Sequence, residues 1–60
     1  MIQVNDIFYE NEALYEAILD DNIKVKGHRY FDSSGVFKGL YDKKSKLRWK
    51  VKATTLRRIK

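Results

Sequence analysis

Apolar and polar residues alternate along the second half of the chain with the period of two that belongs to strands with one buried face. The alternation is strictest in Leu47-Arg48-Trp49-Lys50-Val51-Lys52, which sets Leu47, Trp49 and Val51 against Arg48, Lys50 and Lys52. With Asp42-Lys43-Lys44-Ser45 as the connecting loop, an antiparallel partner strand from Val36 to Tyr41 pairs Leu40 with Leu47, Lys38 with Trp49 and Val36 with Val51. Tyr41, Gly39 and Phe37 then stand opposite Lys46, Arg48 and Lys50. Upstream, Ile23 to Phe31 reads as a further strand, with Ile23, Val25 and Phe31 on the core side and Lys24, Lys26, His28 and Tyr30 on the other. Gly27 marks a candidate bulge within it. Asp32-Ser33-Ser34-Gly35 is a turn signal, because Asp and Ser favour turn starts and Gly accepts a positive φ. It pairs Phe31 with Val36 and Tyr30 with Phe37.

The first third carries a different spacing. Leu14, Ala17 and Ile18 fall at i, i+3 and i+4, which predicts a helix over about Asn11 to Asp21, or one beginning earlier with Asp6 as its cap. Asn22 is the turn-permissive residue after it. Three antiparallel strands with Val36 to Asp42 in the middle need a cover, and this helix is the natural one. The expected fold class is therefore α+β: one N-terminal helix packed on a three-stranded antiparallel sheet. Its inner face comprises Ile23, Val25, Phe31, Val36, Leu40, Leu47, Trp49 and Val51. Arg29 and Lys38 fall on that inner parity too, opposite one another, and are expected to reach Glu12, Glu16 or Asp20 on the helix. Ile2 and Val4 suit a short edge strand at the N-terminus, and Thr54 to Lys60 a short helix or fourth strand. Residues 1–60 make a single small domain, short enough to bury only about 60% of the surface its unfolded chain exposes.

Charge sharpens this picture. The net charge is +5, yet residues 1–22 hold six acids and no base, while residues 23–60 hold thirteen bases against Asp32 and Asp42. The chain is electrically two-ended, and a basic end this dense points to a polyanionic partner such as nucleic acid. The chain contains no Cys, which excludes disulfides, thiolate chemistry and cysteine-based zinc sites and suits a reducing compartment. No apolar run approaches the ~18 residues of a membrane span. Asp6, Glu10 and Glu12 near the start are unlike a secretion signal. The expectation is a cytoplasmic protein with no membrane partner.

Candidate chemistry follows from the outward parity. Lys24, Lys26, Lys46, Arg48, Lys50 and Lys52 gather there around Tyr30, Phe37 and Tyr41. Cations neutralise phosphates, and flat rings offer bases a stacking surface worth roughly 1–3 kcal/mol per base. These nine residues form the candidate nucleic-acid site, with RNA or single strands favoured. A competing arrangement packs Phe37 and Tyr41 under the N-terminal segment or the C-terminal tail. The alternative site lies on the acidic helix, where Tyr9, Glu12, Tyr15, Glu16 and Leu19 would dock on a host protein. His28 is the lone histidine, with no second ligand type to support a metal, a cofactor or acid–base catalysis, and no glycine-rich loop opens a helix. The expectation is a module that is not an enzyme.

Two resemblances add to this reading. Residues 38–51, with Lys38-Gly39-Leu40-Tyr41-Asp42-Lys43 leading to Lys46-Leu47-Arg48-Trp49-Lys50-Val51, resemble a strand pair of the three-stranded DNA-binding domains of plant ethylene-response factors, phage integrases and homing endonucleases. That likeness implies a sheet that enters the DNA major groove. The small size, the lack of Pro and Cys, and the richness in Lys, Tyr, Ile and Asp are similar to the host-takeover proteins of T-even-type bacteriophages. That second likeness implies a small regulator or inhibitor of a host nucleic-acid enzyme, acting directly or through bound RNA.

Overall fold

The computed structural model describes all 60 residues and contains seven strands. They are β1 (Ile2–Val4), β2 (Ile7–Tyr9), β3 (Tyr15–Ile18), β4 (Lys24–Phe31), β5 (Phe37–Asp42), β6 (Leu47–Trp49) and β7 (Arg57–Arg58), with a single 3₁₀ turn at Ala53–Thr55. All pairings are antiparallel. Eight-residue β4 is the axis of the sheet. One of its edges pairs with β2 near Phe31 and with β3 near Lys24, and its other edge pairs with β5. Beyond these lie β1 on β2, β7 on β3 and β6 on β5.

The expected N-terminal helix is absent, and the α+β class is corrected to all-β. Its apolar stripe lies in β3 instead. Leu14 to Leu19 is apolar at every position but Glu16, so helix and strand spacings both fit it. An isolated helix of about eleven residues is barely stable, whereas Tyr15 and Ile18 suit a pleated surface. The strand also finds backbone partners on both edges, with Tyr15 to Ile18 on β4 and Tyr15 and Glu16 on β7. Leu14 and Ile18 extend that second edge. Ile59 N–H donates to the Leu14 carbonyl at 2.9 Å, Lys52 N–H donates to the Ile18 carbonyl at 2.9 Å, and Ile18 N–H donates to Thr55 Oγ1 at 2.9 Å. The chain leaving β6 thus returns along β3, and the curled sheet covers its own core without a helix. Asn22 is turn-forming as expected, with φ 67°, but it joins β3 to β4.

The core of that concave side is Ala17, Val25 and Leu40, with Tyr15, Leu19, Trp49, Val51 and Leu56 against it. Of the expected inner face, Ile23, Val36 and Leu47 are instead more than half exposed, because each lies outside the ladders or at a strand end. The β5–β6 hairpin slips by two residues from the expected register, and the β4–β5 hairpin by two as far as Tyr30 and by one at Phe31, so facing is preserved except at Phe37. Leu40 pairs with Trp49 and Tyr41 with Arg48, while Arg29 pairs with Leu40 and Tyr30 with Gly39. Arg29 consequently does not oppose Lys38. Its guanidinium takes Glu10, at 2.6 and 2.8 Å, and none of the three acids expected for it.

The bulge sits in β5 and not at Gly27. Phe31 pairs with Phe37 and Tyr30 with Gly39, so Lys38 is the extra residue. Gly27 is held in β4 by close approach: a Cβ there would stand 2.7 Å from the Tyr41 carbonyl oxygen. At the turn, Asp32 Oδ1 accepts from Ser34 N–H, Ser34 Oγ and Val36 N–H at 2.8–2.9 Å, and Gly35 takes φ 87° as its composition requires. The N-terminal edge strand is present as β1, and the C-terminal stretch becomes the two-residue β7.

Candidate nucleic-acid interface

The convex side of the sheet carries a second, aromatic cluster. Tyr9 in β2 and Tyr41 in β5 both face this way, their ring centroids 4.8 Å apart, with the His28 ring 6.1 Å from Tyr9. Tyr9 is 7% exposed and Tyr41 5%. The β1–β2 hairpin causes this burial, because it extends the sheet beside β4 and folds Val4 and Ile7 towards Tyr41. His28 is fixed by a 2.6 Å contact from Nδ1 to the Ala13 carbonyl oxygen; Nδ1–H is the donor, which leaves Nε2 as the free nitrogen.

The rings expected among the outward cations are therefore not a stacking platform. Tyr41 is buried under the N-terminal hairpin. Phe37 is turned to the opposite side by the Lys38 bulge, where it meets Phe31 edge-on at 6.1 Å. Tyr30 keeps its outward facing and is half-buried between Tyr9 and Gly39. The cations behave as expected: Lys24, Lys26, Lys46, Arg48, Lys50 and Lys52 are all exposed.

Most of that charge is free. Lys24 is 3.7 Å from the Glu16 carboxylate, which Arg57 approaches at 3.3 Å, and this shared acid ties β4, β3 and β7 together. No hydrogen bond or ion pair engages the side chain of Lys26, Lys44, Lys46, Arg48, Lys50 or Lys52. Five of these six lie from Lys44 to Lys52, a run that begins in the β5–β6 loop, follows β6 and ends where the chain turns onto β3. Asp6 of the β1–β2 turn lines a cleft with Lys46 and Arg48, and Asp42 is the one acid at the β5–β6 loop. That carboxylate is turned into the loop. It accepts from Lys44 N–H at 3.0 Å and from the Ser45 hydroxyl at 2.9 Å. The Ser45 hydroxyl, followed by the Lys44 N–H, holds its pKa below the ordinary carboxylate range.

Two open clefts flank the buried tyrosines. The first, about 300 Å³, has Tyr41 as its floor, Lys46 and Arg48 on one wall and Asn5 and Asp6 of the β1–β2 turn on the other. The second, about 270 Å³, lies where β4 meets the β5–β6 loop and is lined by Lys26, His28, Lys43 and Lys44 with Asp42 and Leu14. Lys43 and Lys44 were not among the expected site residues, and the N-terminal wall of the first cleft was not either. The Lys43-Lys44 pair and the Asn5-Asp6 turn between Val4 and Ile7 are the signals for them.

The alternative protein-docking residues do not form one surface. Tyr9 is buried, Leu19 packs on the core, Tyr15 lies beneath the Arg29 guanidinium at 4.9 Å, and Glu16 is 9% exposed between its two cations. Only Glu12 stands free. No group of three His, Cys, Asp or Glu side chains is placed to hold a metal ion, and no helix is long and apolar enough to cross a membrane. Against protein-family models, curated proteins and solved structures, the chain finds no match.

Proposed function

We propose that the protein is a non-catalytic binding module for the phosphate backbone of nucleic acid, with single strands as the favoured form. The observation that carries this reading is the exposed, unpaired cation run Lys44, Lys46, Arg48, Lys50 and Lys52, which passes from the β5–β6 loop along β6 to the point where the chain joins β3. Five unpaired cations over nine residues repel one another and raise the free energy of the folded monomer; a polyanion removes that repulsion and releases its own counterions. The buried state of Tyr41 and the inward turn of Phe37 change the expected mode. Binding rests on phosphates rather than base stacking, with Tyr30 as the one outward ring, so it discriminates little among sequences.

A fluorescence-anisotropy titration with a labelled single strand of about a dozen nucleotides tests this. Replacing Lys46, Arg48 and Lys50 together by Ser, all exposed and outside the core, should leave the circular dichroism spectrum intact and lower affinity more than tenfold. Equal affinity of that folded variant overturns the reading.

A further inference from the structure

The second cleft differs in kind from the open cation row. Lys26 projects from β4 beside Glu16, its cross-strand partner, yet that carboxylate is committed to Lys24 and Arg57, so the Lys26 ammonium is left for the cleft. Lys43 is steadied from the other side by Asn11 Oδ1 at 2.8 Å, which holds its ammonium by the loop without neutralising it. Lys44 follows from the same loop, and Asp42 has spent both carboxylate oxygens on the Lys44 N–H and the Ser45 hydroxyl. His28 presents the cleft with an imidazole oriented by its bond to Ala13. Three ammonium groups against one carboxylate leave two positive charges. That balance matches the dianion of a phosphate monoester better than the single charge of a phosphodiester. The cleft, about 270 Å³, admits a tetrahedral anion with room to spare and is lined also by Leu14 and Gly27.

We infer that this cleft is a terminal-phosphate site: it takes a phosphate monoester, with Lys26, Lys43 and Lys44 as the charge partners whose ammonium groups donate to its oxygens. The inference rests on the phosphate-backbone reading, since a strand lying along the Lys46 to Lys52 arm would place its phosphorylated end here. The same chemistry is offered by a free mononucleotide.

The test compares one labelled single strand in three forms, with a 5′-phosphate, a 3′-phosphate or hydroxyls at both ends, alongside adenosine monophosphate followed by amide NMR. One of the phosphorylated strands should bind at least fivefold more tightly than the hydroxyl strand, and the Lys26→Ser, Lys43→Ser double variant, whose two residues line the cleft and lie outside the cation row, should lose that preference while still binding the hydroxyl strand. Saturable shifts at Gly27, His28 and Lys44 with the mononucleotide, but no gain from either phosphorylated end, would assign the site to free nucleotides rather than strand ends and overturn the strand-end part of the inference. Equal binding of all three strands, with mononucleotide shifts that spread over every lysine and do not saturate, overturns the site altogether. Loss of all binding in the Lys46, Arg48, Lys50 variant, with mononucleotide shifts retained, would show the two regions to be separable; retention of strand binding in that variant counts against the backbone reading and not against the cleft.

Discussion

Arg29 and Glu10 form a two-pronged ion pair, Nε to Oε1 at 2.6 Å and Nη2 to Oε2 at 2.8 Å, inside an aromatic bracket made by Tyr15 and Phe31 at 4.9 and 5.8 Å from the guanidinium carbon. Three strands meet in that contact, because Glu10 follows β2, Arg29 lies in β4 and Tyr15 opens β3. The hydrogen bonds from Arg29 hold the Glu10 carboxyl below its ordinary range, against the opposing effect of burial. A carboxylate whose folded pKa is depressed adds stability that is present above its unfolded pKa and fades as pH falls through the folded value. Glu10→Gln should therefore cost about 1–2 kcal/mol at pH 7, a modest sum for a partly exposed pair, and the difference from the wild type should narrow as pH falls below the ordinary glutamate range. Urea melts at pH 7 and pH 3 check this; a constant difference would show that the charge is not what matters.

Gly39 should be irreplaceable. Its φ of 150° lies in a region that L side chains avoid, and a Cβ there would overlap the carbonyl oxygen of Trp49 across the β5–β6 ladder. Gly39→Ala should destabilise by more than about 2 kcal/mol, enough to lose the cooperative melt of so small a domain, and should remove binding along with the hairpin. Thermal melts by circular dichroism decide this.

Tyr41→Ala should act on folding rather than recognition. The ring is 5% exposed and packed on Tyr9, so its removal leaves a cavity beneath the β1–β2 hairpin and should cost about 3–5 kcal/mol. A Tyr41→Phe variant, which keeps the packing, should bind nucleic acid within twofold of wild type. A large drop in affinity with normal stability would place the ring in the interface after all.

Lys46 carries two roles that one substitution separates. It closes the hairpin with φ 61°, donating its N–H to the Asp42 carbonyl at 2.7 Å, and its side chain lines the first cleft. Lys46→Gly relieves a left-handed backbone and should raise stability by about 0.5–1 kcal/mol while lowering nucleic-acid affinity. Stability and affinity moving in the same direction would argue against the assigned role.

The sequence was most informative where composition left one option. The strands from Lys24 to Trp49, the Asp32 to Gly35 turn and the pairing of Leu40 with the core face were legible because alternation and turn residues agreed there. The stretch from Leu14 to Leu19 was not, because an almost unbroken apolar run satisfies both periods. Pairing with β4 on one edge and the return of the C-terminal chain along the other, a contact spanning some forty residues, together select the strand. For the site, the exposed cations could be read from parity, but the rings could not. A single bulged residue, Lys38, reverses Phe37, and the fate of Tyr41 depended on where the N-terminal hairpin would lie. Glu12, Glu16 and Asp20 were the acids expected to meet Arg29, yet Glu10 takes that place, and Glu16 serves Lys24 and Arg57 across the strands instead.

The claim that phosphates and not bases are what this hairpin grips is tested most directly by the salt dependence of single-strand binding. If Lys44, Lys46, Arg48, Lys50 and Lys52 each displace a counterion, the logarithm of affinity should fall against the logarithm of salt concentration with a slope of about −3.5, and replacing any one of them by Ser should make it shallower by about 0.7. A slope near zero, or one unchanged by those substitutions, would contradict the account.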